Sequence, residues 1–217
     1  PISLTEAAGA LAREKMEDSR LAIVATSLED LRIKLQKASE RLKDSGRSRI
    51  QDRRGLFYFD HPLGHAGKLA FVFPGEGSQY VNMCKDLCLE FPVVRHAFDL
   101  LEQAYEHLNE PHLPSLSIFP PHERDRLQAE KRLWAMDLAV HSIITAERGL
   151  FRLLNTLEIR ADGMVGHSSG ELAALEAAGG IEVRGDVHLL ELLKVGTRKI
   201  RQLESGQTGF GRLLAVG

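Results

Sequence analysis

Cysteine is nearly missing from this chain, with two in 217 residues. Cys84 and Cys88 stand four apart on a predicted helix, where they face one side as thiols, so no disulfide framework follows. A metal centre needs more ligands than this pair offers, and none is placed to help. A reducing, cytoplasmic setting is the natural expectation. Long apolar runs are missing as well. None approaches the ~20 residues of a membrane span. The first residues mix Glu6, Arg13, Glu14 and Lys15 with apolar ones, unlike a secretory signal. Positive charge is not in surplus: 28 Lys and Arg stand against 30 Asp and Glu. Nucleic acid is therefore not an expected partner, and Arg47-Ser-Arg49 and Arg53-Arg54 read as solvated. Repeats and low-complexity tracts are absent. What remains is a globular composition, 43% hydrophobic and 27% charged, long enough for one ordinary domain or slightly more.

The first block, to about Ser45, reads as helix, strand and helix. Leu4 to Lys15 is the first helix and Arg20 to Thr26 a short buried strand. Ser27 is an N-cap with Glu29 and Asp30 in the first turn, and Leu28, Leu31, Leu35 and Leu42 line one helix face. From Gly46 to Gly67 the residues turn to Arg, Asp, Gly and Pro, apart from a possible edge strand at Leu56–Phe59. His61 and His65 read as exposed loop histidines. The domain boundary falls in this stretch, giving 1–67 and 68–217.

Lys68 to Phe73 then reads as a buried strand, ending in Pro74-Gly75-Glu76-Gly77-Ser78-Gln79. A glycine-rich turn after a buried strand exposes backbone N–H groups at the carboxyl edge of a sheet, where open α/β sheets bind ligands. The phosphate-loop pattern fails for want of Gly-Lys-Ser/Thr, and the dinucleotide fingerprint for want of its third glycine. Taken alone, an ordinary strand-to-helix turn is the better reading. Helices follow over Asn82–Leu89 and Val93–Leu108, the second with Val94, Phe98, Leu101 and Tyr105 on one face. Asn109–Pro121, with four prolines, reads as a loop. A helical stretch spans Glu123–Lys131, and a long, mostly buried helix spans Leu133–Leu154 with Trp134 and Leu138 among its apolar positions. His141, alone within that helix, reads as a core residue.

Next comes the stretch around which the chain is organised, Asp162-Gly-Met-Val-Gly166-His167-Ser168-Ser169-Gly170-Glu171. A short apolar run precedes a Gly-x-Ser-x-Gly pattern and an alanine-rich helical pattern follows it. A bare five-residue pattern can fall in a loop, but correct flanks on both sides favour a nucleophile elbow. In such an elbow glycines permit a sharp strand-to-helix turn and the serine oxygen is pushed outward. The N–H after the serine then lies at the positive end of a helix, ready for a developing oxyanion. A turn at Gly179–Gly185, a helix over Asp186–Leu203 and a strand beginning near Arg212 complete the chain.

Phe73-Pro-Gly-Glu-Gly-Ser-Gln79 followed by Gly166-His-Ser-Ser-Gly-Glu171 resembles the malonyl-CoA:acyl-carrier-protein transacylase family, which includes the acyltransferase domains of polyketide and fatty acid synthases. Arg20-Leu-Ala-Ile-Val-Ala-Thr-Ser-Leu-Glu-Asp-Leu31 looks like the linker that joins a ketosynthase to its acyltransferase. Phe57-Tyr58-Phe59 and the Gly-Glu-Gly variant look most like iterative type I synthases of the enediyne or polyunsaturated fatty acid type. The resemblance implies a small α/β linker subdomain (1–67) and the N-terminal part of an α/β-hydrolase-like acyltransferase core with a mostly parallel sheet (68–217). The family's ferredoxin-like subdomain would be largely missing.

It also implies roles. Ser168 would be the acylated nucleophile. The N–H groups of Glu76, where the family usually has glutamine, and of Ser169 would form the oxyanion hole. Gly75 and His167 would border the substrate, His167 without acting as base. Arg198 would hold the free carboxylate of malonate, with Lys194 as runner-up. Position 169, a serine, matches neither residue usually tied to malonyl or methylmalonyl selection. No cofactor or metal is implied. Malonyl from malonyl-CoA would pass through an acyl-serine to the phosphopantetheine thiol of an acyl carrier protein. The implied partners are that carrier domain, an adjacent ketosynthase and the C-terminal half of the acyltransferase. The family's base is a histidine well beyond the elbow. His188 has no family match and no histidine follows it. Together with a start at Pro1 rather than Met, this leads to the expectation of a fragment. The competing readings are an α/β serine hydrolase or thioesterase and a non-catalytic carrier-docking fragment.

Overall fold

The computed structural model describes residues 2–14, 19–44, 46–61, 67–108 and 112–205. His65 and the strand expected near Arg212 lie outside the described residues. The chain divides into two compact units, Pro1–Lys68 and Leu69–Gly217.

In the first unit, α1 (Leu4–Leu11) starts at Ser3. Glu6 N–H donates to Ser3 Oγ at 3.2 Å, and Ser3 N–H donates back to the Glu6 carboxylate at 2.7 Å. This reciprocal pair satisfies two backbone donors that a helix start leaves open. Then come β1 (Arg20–Ile23), α2 (Leu28–Leu42), β2 (Arg49–Asp52) and β3 (Leu56–Phe59). The three strands form an antiparallel sheet in the order β1-β3-β2. Leu56–Phe59, expected at an edge, is thus the central strand, and its second neighbour comes from the charged stretch expected to be linker. Ile50 explains it: alone among charged and polar neighbours, it turns inward and packs with Leu56 and Ala38. Gly55 closes the hairpin at φ +95°, where a Cβ would stand 2.7 Å from the Val24 carbonyl oxygen.

The second unit is built on two parallel strands, β4 (Ala70–Phe73) and β5 (Gly163–Gly166), in register from Ala70↔Gly163 to Phe73↔Gly166. Asp162 ties their starts, donating its N–H to the Leu69 carbonyl at 2.7 Å and accepting the Leu69 N–H at 2.9 Å. Between the strands lie α3 (Lys85–Glu90), α4 (Pro92–Glu106), α5 (Pro114–Ile118), a 3-10 turn (Glu123–Asp125), α6 (Arg126–Leu133) and α7 (Met136–Thr156). After them come α8 (Gly170–Ala177) and α9 (Gly185–Glu204). The main core joins α4 to α7 and α9 through Val94, Phe98, Leu101, Tyr105, Leu138 and Leu193. The α4 face is the one that its 3.6-residue period marks.

Four expectations are corrected. The long helix begins only at Met136, because the backbone is extended at Ala135, and Trp134 at this break is 65% exposed rather than buried. The proline-rich stretch contains α5. Pro114 fits the first turn, where its missing N–H is no loss, and Glu102 accepts Ser115 N–H at 2.9 Å. Cys84 lies just outside α3 in a left-handed conformation. Finally, β4 is buried on one face only. Phe71 and Phe73 pack on the Phe151 ring, while Val72 and its partner Val165 point away, 70% and 55% exposed.

Candidate active site

The turn from β5 into α8 carries Ser168. His167 N–H continues the strand pairing by donating to the Phe73 carbonyl at 3.0 Å. Ser168 then adopts φ +55°, a left-handed value that a residue with a Cβ rarely takes. Gly170 N–H donates to the His167 carbonyl at 3.0 Å and Glu171 N–H to the Ser168 carbonyl at 3.1 Å, starting the helix at once. Two glycines permit this sharpness. A Cβ on Gly166 would stand 2.5 Å from Glu171 Cα, and one on Gly170 only 2.2 Å from the Phe73 carbonyl oxygen. Ser168 is left exposed at the carboxyl end of both strands, and Ser169 is buried behind it.

The loop after β4 lies against this turn. A Cβ on Gly75 would stand 2.6 Å from the His167 carbonyl oxygen, 2.7 Å from Ser168 Cβ and 3.1 Å from His167 Nδ1. The loop is pinned from within. Ser78 Oγ donates to the Gly75 carbonyl at 2.8 Å, and Gly77 N–H donates to Gln79 Oε1 at 2.8 Å. Gln79, itself buried, reaches the Leu133 carbonyl at 3.3 Å. Glu76 is thereby held opposite the elbow, and Ser168 Oγ donates a short hydrogen bond to its carboxylate. Burial acts to raise the Glu76 carboxyl. The bond from Ser168, helped by polar contacts from the Glu76 N–H and from Ser169, outweighs that and holds it below the ordinary range. The Ser169 hydroxyl is buried and makes no hydrogen bond among the described residues.

The structure therefore brings Gly75, Glu76, His167, Ser168 and Ser169 together. Among the described residues no hydrogen bond or ion pair links Arg198 to them. Arg198 is exposed on α9, where its charge helps to lower Glu191, and it makes no hydrogen bond or ion pair with any described residue. Lys194 is paired with Glu191 at 2.8 Å. His188 accepts the Arg184 N–H at 3.1 Å at the start of α9, a structural task. His141 is a core residue, 5% exposed, facing Tyr105 Oη and Thr197 Oγ1 at 3.3 Å each. Burial pushes its pKa down to about 4, against the pull of Asp137 and with the help of Arg148.

Two features escaped the sequence reading. One is the Glu76 side chain on Ser168, where only the backbone was expected to act. The other is Glu147 on α7, which is 6% exposed with both carboxyl oxygens unpartnered among the described residues. It lines a groove of about 520 Å³ with Phe71, Ser78, Met83 and Phe151. Its signal in the sequence is an acidic residue on the same helical face as Ile143 and Leu150. Among the described residues no three His, Cys, Asp or Glu side chains are grouped to hold a metal, and no helix is long and apolar enough to cross a membrane.

The family model described as the acyl transferase domain matches residues 70–192. The polyketide synthase-nonribosomal peptide synthetase ACE1 of Pyricularia oryzae is 31% identical over 208 residues, covering 92% of this chain and 5% of that protein. The mycoketide-CoA synthase of Mycobacterium tuberculosis is 35% identical over 115 residues, covering 52% of this chain and 3% of that one. The chain thus spans a small fraction of the length of these curated relatives. Among solved structures, the acyltransferase domain from the second module of the salinomycin polyketide synthase superposes with a TM-score of 0.56 at 28% identity, covering 90% of this chain and 39% of that one.

Proposed function

Because this chain belongs to the acyl transferase domain family, we propose that it moves a malonyl group from malonyl-CoA to the phosphopantetheine thiol of an acyl carrier protein. The observation that carries this reading is the left-handed Ser168, exposed at the carboxyl end of both strands with the Gly75 turn pressed against it. Ser168 Oγ attacks the thioester carbonyl, and negative charge builds on the carbonyl oxygen. The N–H groups of Glu76 and Ser169 meet that charge, Ser169 with the start of α8 behind it. The carbon–sulfur bond breaks, CoA leaves as its thiol, and a malonyl-serine ester remains. The carrier thiol then attacks the ester and Ser168 is restored. The proton acceptor for both steps is a histidine supplied by a further acyltransferase segment, since no described histidine hydrogen-bonds Ser168. Gly75 and His167 border the entering acyl group. In this reading no cofactor is needed, residues 1–67 link the domain to a ketosynthase, and the whole works in the cytoplasm of its cell.

With the segment that carries the base supplied, incubation with malonyl-CoA should add one malonyl group to the intact mass of this chain, and Ser168→Ala should abolish it. Turnover to free malonate with no adduct would overturn acyl transfer in favour of hydrolysis.

Arg198 is assigned to the malonyl carboxylate on chemistry: its guanidinium is free among the described residues, and a planar fork grips a carboxylate with two bonds. Arg198→Ala should slow malonylation about 10- to 100-fold, the effect of losing a hydrogen-bonded charge, while acetylation from acetyl-CoA changes little. A loss confined to acetyl-CoA would sink the assignment.

A further inference from the structure

The Glu76 side chain stands where a substrate's carbonyl oxygen has to go. Ser168 Oγ donates a hydrogen bond to the carboxylate, and the backbone N–H groups of Glu76 and Ser169 lie near enough to help hold it ionised. These are the two donors that the acyl-transfer reading assigns to the oxyanion. Gly75 leaves the loop no slack, because even a methyl group there would strike Ser168 Cβ and the His167 carbonyl. The backbone of Glu76 is thus fixed while its exposed side chain can turn away.

Resting on that reading, we propose that the Glu76 side chain is a gate on the nucleophile: its carboxylate ties up the Ser168 hydroxyl and covers the oxyanion donors, and it must swing out before Ser168 is acylated. Two arguments favour a gate over a general base. A carboxyl held below its ordinary range is a poor acceptor for a serine proton, since an effective base titrates near the working pH. A carboxylate in this position also puts like charge beside the forming oxyanion, which opposes the step. The gate performs no chemistry. Ser168's proton still passes to the external base, and CoA leaves as before.

Glu76→Gln and Glu76→Ala, each with the segment that carries the base present, test this with two reagents run in parallel. The first is diisopropyl fluorophosphate, which phosphorylates an accessible serine with loss of fluoride and carries no malonyl carboxylate. The second is malonyl-CoA. Labelling of Ser168 is followed by intact mass, with Ser168→Ala as blank, and melting curves confirm that each variant is folded. With the gate removed, both variants should label with fluorophosphate about 3- to 10-fold faster than the parent, as expected for losing a hydrogen bond to an exposed charge. Labelling at the parent rate or slower overturns the gate, and a large slowing would make Glu76 the base instead. No labelling in any protein also overturns it, because releasing the carboxylate would then have freed no nucleophile. Labelling of Ser168 by fluorophosphate with no adduct from malonyl-CoA in parent or variants would refute acyl transfer, leaving the fluorophosphate rates to decide the gate.

Discussion

Gly170→Ala should both unfold the elbow and stop malonylation. The new methyl carbon would stand 2.2 Å from the Phe73 carbonyl oxygen and 2.5 Å from that of Pro74, and both are backbone atoms that no rotamer change can move. Relief requires the end of β4 to separate from the start of α8. Overpacking of a tight site costs about 1–3 kcal/mol and sometimes more, and backbone obstacles put this case at the upper end. The damage to rate should be larger still. Phe73 and Pro74 lead directly into Gly75 and Glu76, so the same movement carries the Glu76 N–H away from Ser168. A misplacement of about 1 Å at a reacting centre is enough for about a 100-fold loss. Gly163→Ala is the matched control. It lies in the adjoining strand with nothing within 4 Å of the added Cβ, so it should melt and react like the parent. Thermal melts and malonyl adduct rates on the three proteins decide the matter. A Gly170→Ala protein that melts with the parent would mean that the strand and helix are not pressed together as described.

That the elbow can be read from sequence at all follows from its being local. Every residue that makes the turn lies between Gly163 and Glu171, and Gly166 and Gly170 sit where residues four and five positions away, or the adjoining strand, leave no room. The α4 core face was legible for the same reason, since Val94, Phe98, Leu101 and Tyr105 repeat with the helix period. What failed needed partners distant in sequence. The bond from Ser168 to Glu76 joins residues 92 apart, and a side-chain rotamer decides it. Leu56–Phe59 became central only because a stretch dominated by charge supplied Ile50 at the right register. An apolar run such as Leu69–Phe73 marks a strand but does not say how many of its faces are covered, so Val72 was misread as buried. Trp134 was carried along by the helix period across a break that one extended residue, Ala135, creates.

Glu147→Gln should stabilise the second unit at pH 8 and do little at pH 4.5. In the folded chain Glu147 has no hydrogen-bond partner among the described residues, and burial pushes its pKa up to about 7, with Arg148 pulling it back and the charge of Glu76 adding to the rise. The unfolded value is near 4.5. Between the two the folded state holds the extra proton, so stability falls as pH rises from about 4.5 to about 7, and the full loss persists above that. A buried carboxyl shifted this far implies a penalty of about 1–3 kcal/mol on the alkaline side. His141 works in the opposite sense. Its folded pKa of about 4 lies below its unfolded 6.5. Its contribution is therefore complete above about pH 6.5 and is lost as pH falls toward 4. In the parent the two slopes offset each other between about 4.5 and 6.5, and stability there should change little. Removing the Glu147 charge leaves the His141 slope exposed, so the variant should gain stability steadily up to about pH 6.5 and then level off. Urea melts of parent and variant at pH 4.5, 6.5 and 8 give both profiles, and their difference isolates Glu147, because His141 and the other groups common to both cancel. An equal shift at all three pH values would mean that the glutamine acts through packing, and a loss at pH 8 would mean that the ionised Glu147 is satisfied after all.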